Sequence, residues 1–407
     1  MNFAGPFGLN FVARAIVLPV GILAAVAAYV HASSETLLSP AGATSMRSSL
    51  TGHALTKLVD RGFAAAMVDS QTSGEGEFAR ISDPLLSLAR SAFEFDPLEV
   101  STIRTIALGK LLHEDEAKAR LAMRLAAKVG KRDSATNLWL AQDYGRSGDI
   151  AALTASFDNM LRTSVRARES AMKPLVELLG REESFGPLGD LLTRRPEWER
   201  EFWQEFVGNP VALQNSAEFF ARTGLPIDRL LPDERATLYA NLKGLGQFET
   251  LHALATLDPA AAEGAKQLAE GRFVSVKRGY PLGWTTHARG SFAAEIHPRS
   301  GELQIDARSG SFGLAADRVF RLDRDHRLGI RMAEAVPANA GVQLAAACPG
   351  SDGQLLARIV LAPGAMAGET DISAGACEFA TLRLSFTAEQ GRRDPFIRIA
   401  SISLRPK

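Results

Sequence analysis

ATLRLSF (380–386) decides how the last third of the chain folds. Leu382, Leu384 and Phe386 alternate with Thr381, Arg383 and Ser385, the two-residue period of a strand with one buried and one solvated face. Moving outward, the same period returns in FAAEIH (292–297), ELQIDA (302–307), RLGIRM (327–332), VQLAAA (342–347), LLARIVL (355–361) and FIRIASISL (396–404). Turn signals separate these runs, among them Pro298 to Gly301, Ser309-Gly310, Asp323 to Asp325, Pro337 to Gly341, and Gly391. Seven or eight short strands in about 135 residues predict a two-sheet β-sandwich of jelly-roll type over 271–407.

Upstream of Gly271 the period changes from two to that of a helix. From about His53 to residue 270, amphipathic segments alternate with breakers such as Asp83-Pro84, Asp96-Pro97, Gly130, Gly148, Asn209-Pro210, Pro232 and Asp258-Pro259. Short helices with regular punctuation predict stacked helical hairpins. The pattern repeats at an offset of 34: Ile106-Ala107 falls over Leu140-Ala141, Met123 over Phe157, and Ala126 over Met160. This resembles the tetratricopeptide repeat, although Lys110 stands at an aromatic position and the third unit dissolves around Leu175 and Pro187. The resemblance implies a concave surface for an extended protein segment, with Arg104, Asn137 and Arg146 as candidate groove residues. Asp133 reads as the N-cap of the helix carrying Trp139, and Trp139, Trp198 and Trp203 read as core.

FVARAIVLPVGILAAVAAYV (11–30) has Arg14 as its only charge, and its length approaches the ~20 apolar residues that span a bilayer. Two readings follow. Residues 1–32 are an uncleaved signal-anchor, giving a single-pass bacterial inner-membrane protein with its bulk in the periplasm, or a signal peptide cleaved after Ala32. Residues 33–52, rich in Ser, Thr, Gly and Ala, read as a flexible tether. Both readings export the remainder, so Cys348 and Cys377 can pair; two unrelated buried thiols are the alternative.

Composition narrows the function. Lys plus Arg and Asp plus Glu are each 46, a formal net charge of zero, which argues against a nucleic-acid partner. The balance conceals an asymmetry, since residues 271–407 hold 18 basic and 13 acidic side chains while residues 1–270 hold 28 and 33. With 46% hydrophobic residues the chain can bury a sizeable core, and two cysteines exclude a disulfide-dense scaffold.

A wider resemblance rests on Arg132-Asp133 followed by Leu138-Trp139, on Pro281-x-x-Trp284 opening the sandwich, and on the two spaced cysteines. Together with the leader these look like a family of membrane-anchored bacterial envelope proteins found with exopolysaccharide assembly and export genes, whose last module is similar to carbohydrate-binding sandwiches. The resemblance implies a non-catalytic scaffold whose repeats dock envelope or polysaccharide-assembly proteins and whose sandwich contacts polysaccharide. Tyr280, Trp284 and His287, just ahead of the first clear strand, are the candidate glycan platform; read structurally, the same Trp284 plugs one end of the sandwich.

No catalytic, cofactor or metal motif stands out. The chain has no phosphate-binding glycine loop, no Gly-x-Ser-x-Gly elbow and no His-Glu-x-x-His pair. His113 to Glu116 reads as an acidic helix start, and Asp323 to His326 as a solvated turn, because Arg327 stands where a calcium loop would need its next oxygen. A polysaccharide-modifying enzyme using a carboxylate pair in the sandwich is the second expectation.

Overall fold

The computed structural model describes residues 55–63, 81–111, 115–163, 165–276, 280–350, 353–391 and 393–407. The apolar stretch 11–30 and the tether 33–52 lie outside the described residues, and among the described residues no helix is long and apolar enough to cross a membrane. The chain divides into two compact units, residues 1–205 and 206–407.

The described part of the first unit is helical. Helices α1 (Asp83–Phe95), α2 (Val100–Leu111), α3 (Glu116–Val129), α4 (Ser134–Ser147), α5 (Ile150–Leu161), α6 (Val165–Glu177) and α7 (Phe185–Thr193) follow one another, and α8 (Glu199–Phe206) ends it. The 34-residue offset is geometric as well as sequential. Helices α2 and α4 begin at 100 and 134, and α3 and α5 begin at 116 and 150. The aligned residues Ala107 and Ala141, Met123 and Phe157, and Ala126 and Met160 are all buried. An alanine at each close approach lets the helices of a pair meet, and a larger side chain fills the space beside it. Capping fixes where the helices start. The carboxylate of Asp133 accepts the Thr136 amide at the head of α4, and that of Asp149 accepts the Ala152 amide at the head of α5. Trp139, Trp198 and Trp203 are buried, as their helical spacing predicts.

The second unit begins with helices α9 (Pro210–Thr223), α10 (Pro232–Gly244), α11 (Phe248–Leu257) and α12 (Pro259–Ala269) and continues into antiparallel strands. The last helix ends at Ala269 and the first strand begins at Thr285, while the compact unit that holds them starts earlier, at Phe206. The reason is packing: Ala261 and Leu268 of α12 join the same apolar core as the strands, and the Ile402 amide donates to the Gly271 carbonyl.

The strands are β1 (Thr285–Thr286), β2 (Ala288–Arg289), β3 (Phe292–Ile296), β4 (Leu303–Ala307), β5 (Phe312–Arg321), β6 (His326–Met332), β7 (Ala340–Ala347), β8 (Leu355–Leu361), β9 (Ala367–Ile372), β10 (Phe379–Ala388) and β11 (Phe396–Pro406). They form a five-stranded sheet in the order β1-β5-β10-β7-β8 and a six-stranded sheet in the order β2-β3-β4-β11-β6-β9. Leu382, Leu384 and Phe386 of β10 meet Ile397, Ile399 and Ile402 of β11 in one core between the sheets, so the alternation read at 380–386 is the alternation that folds. The two-residue strands β1 and β2 and the longer strands β5 and β9 are additions that sequence patterning does not predict. Strand β5 changes register between Leu314 and Ala316, opposite Ser385 and Leu384, and the edge strand β9 (AGETDI) is largely polar.

Candidate functional site

The pleat that buries Leu382 and Leu384 turns Arg383 and Ser385 to the outer face of the five-stranded sheet. The register sets out what surrounds them. Thr285, Asp317, Arg383, Ala345 and Arg358 form one continuous row across all five strands. The neighbouring row is Leu314, Ser385, Gln343 and Val360, and the row beyond it places Thr387 between Phe312 and Gly341. Small residues at Ala345 and Gly341 keep the middle of the face low, with Arg383 and Arg358 rising on either side of Ala345. Arg358 Nη2 donates to Gln343 Oε1 at 2.7 Å. Phe312 is 77% exposed at one margin and Val360 is 61% exposed at the other.

The face is open over only part of its length. At one end Phe379 is buried beneath α11, with the Phe248 and His252 rings each 6.1 Å away, and Val319 and Thr381 beside it are buried too. At the β1 edge α10 inserts Lys243. Its ammonium pairs with the Asp317 carboxylate, donates to Thr285 Oγ1 at 2.9 Å and donates to the Asp317 carbonyl at 3.1 Å. His287 Nε2 lies 2.6 Å from the second carboxylate oxygen of Asp317.

Burial alone would raise the Asp317 carboxyl. The His287 hydrogen bond and the Lys243 charge outweigh burial and hold it below the usual carboxylate range. Burial pushes the Lys243 ammonium down, and Asp317 opposes that push without cancelling it. Asp317 therefore stays ionised at neutral pH, and its charge is taken up by groups that fasten α10 to the sheet.

One residue further along β5, Arg318 points the opposite way, into the sandwich. Its guanidinium lies 5.7 Å from the centre of the Trp284 ring, and burial lowers its pKa to about 10 against a small opposing effect of Tyr280. The group remains charged at neutral pH, sheltered by the Trp284 ring.

These positions correct the expected glycan platform. Trp284 is 1% exposed and Tyr280 6% exposed, so neither offers a ring face to a sugar. Trp284 sits against Phe273, and its amide donates to the Val274 carbonyl. Tyr280 lies so close to Gly264 of α12 that a Cβ there would fall 2.5 Å from the ring. The structural reading of Trp284 as a plug is the one that folds; His287 alone of the three reaches the outer face.

The expected groove residues of the first unit separate similarly. Arg104 is 4% exposed and spans from Asp133 to Asp60, with its guanidinium 4.4 Å over Phe63. Asn137 is 1% exposed, donating its amide to the Lys131 and Asp133 carbonyls and accepting from Asn159. Both fasten helices rather than face a groove, since Arg104 ties α2 to the head of α4 and Asn137 ties α4 to α5. Arg146, near the C-terminal end of α4, is exposed. In the turn after β5, Asp323 pairs with Arg324 and Asp325 accepts the Ala374 amide.

Cys348 and Cys377 form a disulfide with a Cα–Cα separation of 5.9 Å, joining the end of β7 to the approach to β10.

Arg383, Arg358, Gln343, Asp317 and Lys243 were not singled out by sequence motifs. The available signal was an arginine in the middle of each of two strands, ATLRLSF and LLARIVL, at the outward position of the alternation.

Comparison with known proteins matches no family model, and no curated protein matches the chain. Several solved structures are similar to part of it, two of them as follows. One is described as CBM4 structure and function, with 12% identity over 31% of this chain and 88% of that chain and a TM-score of 0.24. The other is TmCBM61 in complex with β-1,4-galactotriose, with 12% identity over 30% of this chain and 88% of that chain and a TM-score of 0.22.

Proposed function

We propose that this chain is a non-catalytic binding protein of the bacterial cell envelope, whose sandwich holds a glycan on the outer face of its five-stranded sheet. The observation that carries the reading is the open face itself. Arg383, Arg358, Gln343, Ser385 and Thr387 present guanidinium, amide and hydroxyl groups around a floor of Ala345 and Gly341. A ligand dense in hydroxyl groups satisfies such donors and acceptors, and the low floor lets an extended chain approach the sheet. The non-catalytic part of the reading is supported by Asp317, the carboxylate in the central row, which is engaged by Lys243 and His287.

The paired helices, tetratricopeptide-like in their 34-residue offset, serve in this reading to hold a protein partner from the envelope or its polysaccharide-assembly machinery. Outside those pairs, in the second unit, a shallow groove between α9 and α11, lined by residues including Ala217, Ala221 and Ala253, offers further room for such a segment. Export through the leader and inner-membrane anchoring belong to the same proposal, and the disulfide supports them, since such bonds persist in oxidising compartments.

Affinity electrophoresis of the full chain through gels carrying single polysaccharides, neutral and acidic, tests the glycan reading. Retardation by at least one of them, reduced by Gln343→Ala, is the expected result. Unchanged mobility in every gel overturns it.

A further inference from the structure

Within this module the two outer sheet faces treat charge differently. On the six-stranded sheet several cations stand among carboxylates: Arg327 and Lys407 pair with Asp371, and Arg398 pairs with Glu302 and Glu334, while Arg331 and Arg405 are exposed without an ion pair to any described residue. Glu295, Asp306 and Glu369 are exposed on the same sheet. On the open part of the five-stranded sheet the balance is different. Arg383 and Arg358 are exposed, and neither forms an ion pair with any described residue. The carboxylate in their row, Asp317, is only 13% exposed and is already shared between Lys243 and His287.

The cationic character also has a direction. Arg383 and Arg358 lie on β10 and β8 in one row with only Ala345 between them, two strand spacings or about 10 Å apart. Gln343, Ser385 and Thr387 fill the adjoining rows with neutral hydrogen-bonding groups. Among the described residues, the aromatic ring on the open part of this face, Phe312, stands at the margin rather than in the row, since Phe379 is covered by α11. Stacking against the flat face of a neutral sugar or a nucleobase therefore has no central platform here. What the row does offer is two planar guanidinium forks suited to carboxylates, set among groups suited to hydroxyls.

Resting on the proposed glycan-binding role of this face, we infer that its ligand is an acidic polysaccharide, a sugar chain bearing carboxylates, with Arg383 and Arg358 each receiving one carboxylate. Charge complementarity selects this occupant: the exposed arginines lack counter-charges, and the hydroxyl-bonding rows beside them would be superfluous for a simple polyanion.

Polygalacturonate and its fully methyl-esterified form make the test, because they share one sugar backbone and differ in charge. Affinity electrophoresis and titration calorimetry of the full chain should show binding to polygalacturonate that weakens as salt rises, with the methyl ester binding at least tenfold more weakly. Arg383→Ala and Arg358→Ala should each weaken polygalacturonate binding roughly tenfold, as expected for loss of a charge-assisted hydrogen bond. Arg331→Ala, an equal change of charge on the opposite sheet, should leave binding unchanged, and all three variants should keep the parent melting temperature.

Equal binding of the acid and its methyl ester leaves the glycan role standing and overturns the acidic assignment. Equal losses in all three variants, or equal binding of polyaspartate, show attraction of charge alone and overturn it as well. Failure to bind either form, together with failure across the neutral panel, overturns the glycan role and this inference with it.

Discussion

Asp317 and Arg318 are adjacent on β5 and meet opposite surroundings because the pleat sends one out and the other in. Asp317 is held below the usual carboxylate range, where burial would raise it but His287 and Lys243 prevail. A carboxyl whose folded pKa is depressed adds stability that is fully present above its unfolded pKa, near the ordinary value of 3.8, and is lost as pH falls through the folded value. Denaturant midpoints of the parent should therefore fall steeply between about pH 5 and pH 2, whereas those of Asp317→Asn should be flatter in that window. At neutral pH the variant should be less stable by about 2 kcal/mol, since Lys243 keeps its charge and loses its partner. Parallel pH curves for the two proteins would show that Asp317 does not fasten α10 to the sheet. Neither member of the pair was legible beforehand: ordinary alternation does not place an arginine among core residues, and nothing local marks Lys243 as the partner of a residue 74 positions away.

At the scale of elements, local signals performed unevenly. The cap Asp133 and the 34-residue recurrence were readable because capping and helix-pair packing repeat a local rule. Strand β5 was not readable. Gly313, the Ala315-Ala316 pair at its register shift and the inward Arg318 break the two-residue period that identified its neighbours. The unpredicted strand is also the one that carries Asp317 into the candidate site. The disulfide belongs to this scale because it ties two connections together. By the loop-entropy estimate, closing a loop of 29 residues contributes about 3–4 kcal/mol. Cys348→Ser should lower the melting temperature of the oxidised protein and have little effect once the parent is reduced; equal melting temperatures in oxidised samples would contradict that role.

At the scale of the whole molecule, the compact units and the boundaries of secondary structure do not coincide, and the difference is measurable. A fragment of residues 206–407 should unfold cooperatively. A fragment of residues 271–407 should be markedly less stable or aggregate, because it loses the Lys243 pairing with Asp317, the seat of Tyr280 on Gly264 and the core residues Ala261 and Leu268. Similar melting temperatures for the two fragments would show that helices 206–270 are dispensable to the sandwich. The sequence by itself determined the two structural classes, the strand at 380–386 with its inward leucines, the helix start at Asp133, and the pair of cysteines available for bonding. Each follows from a period, a cap or a residue type that acts over a few positions. Only the tertiary structure decided that Trp284 and Tyr280 are covered, that Arg104 and Asn137 fasten helices, and that the outer face around Arg383 stays open. Exposure depends on which distant segment comes to rest on a surface, and the placement of α10, α11 and α12 on the strands is a long-range packing outcome that no local period encodes.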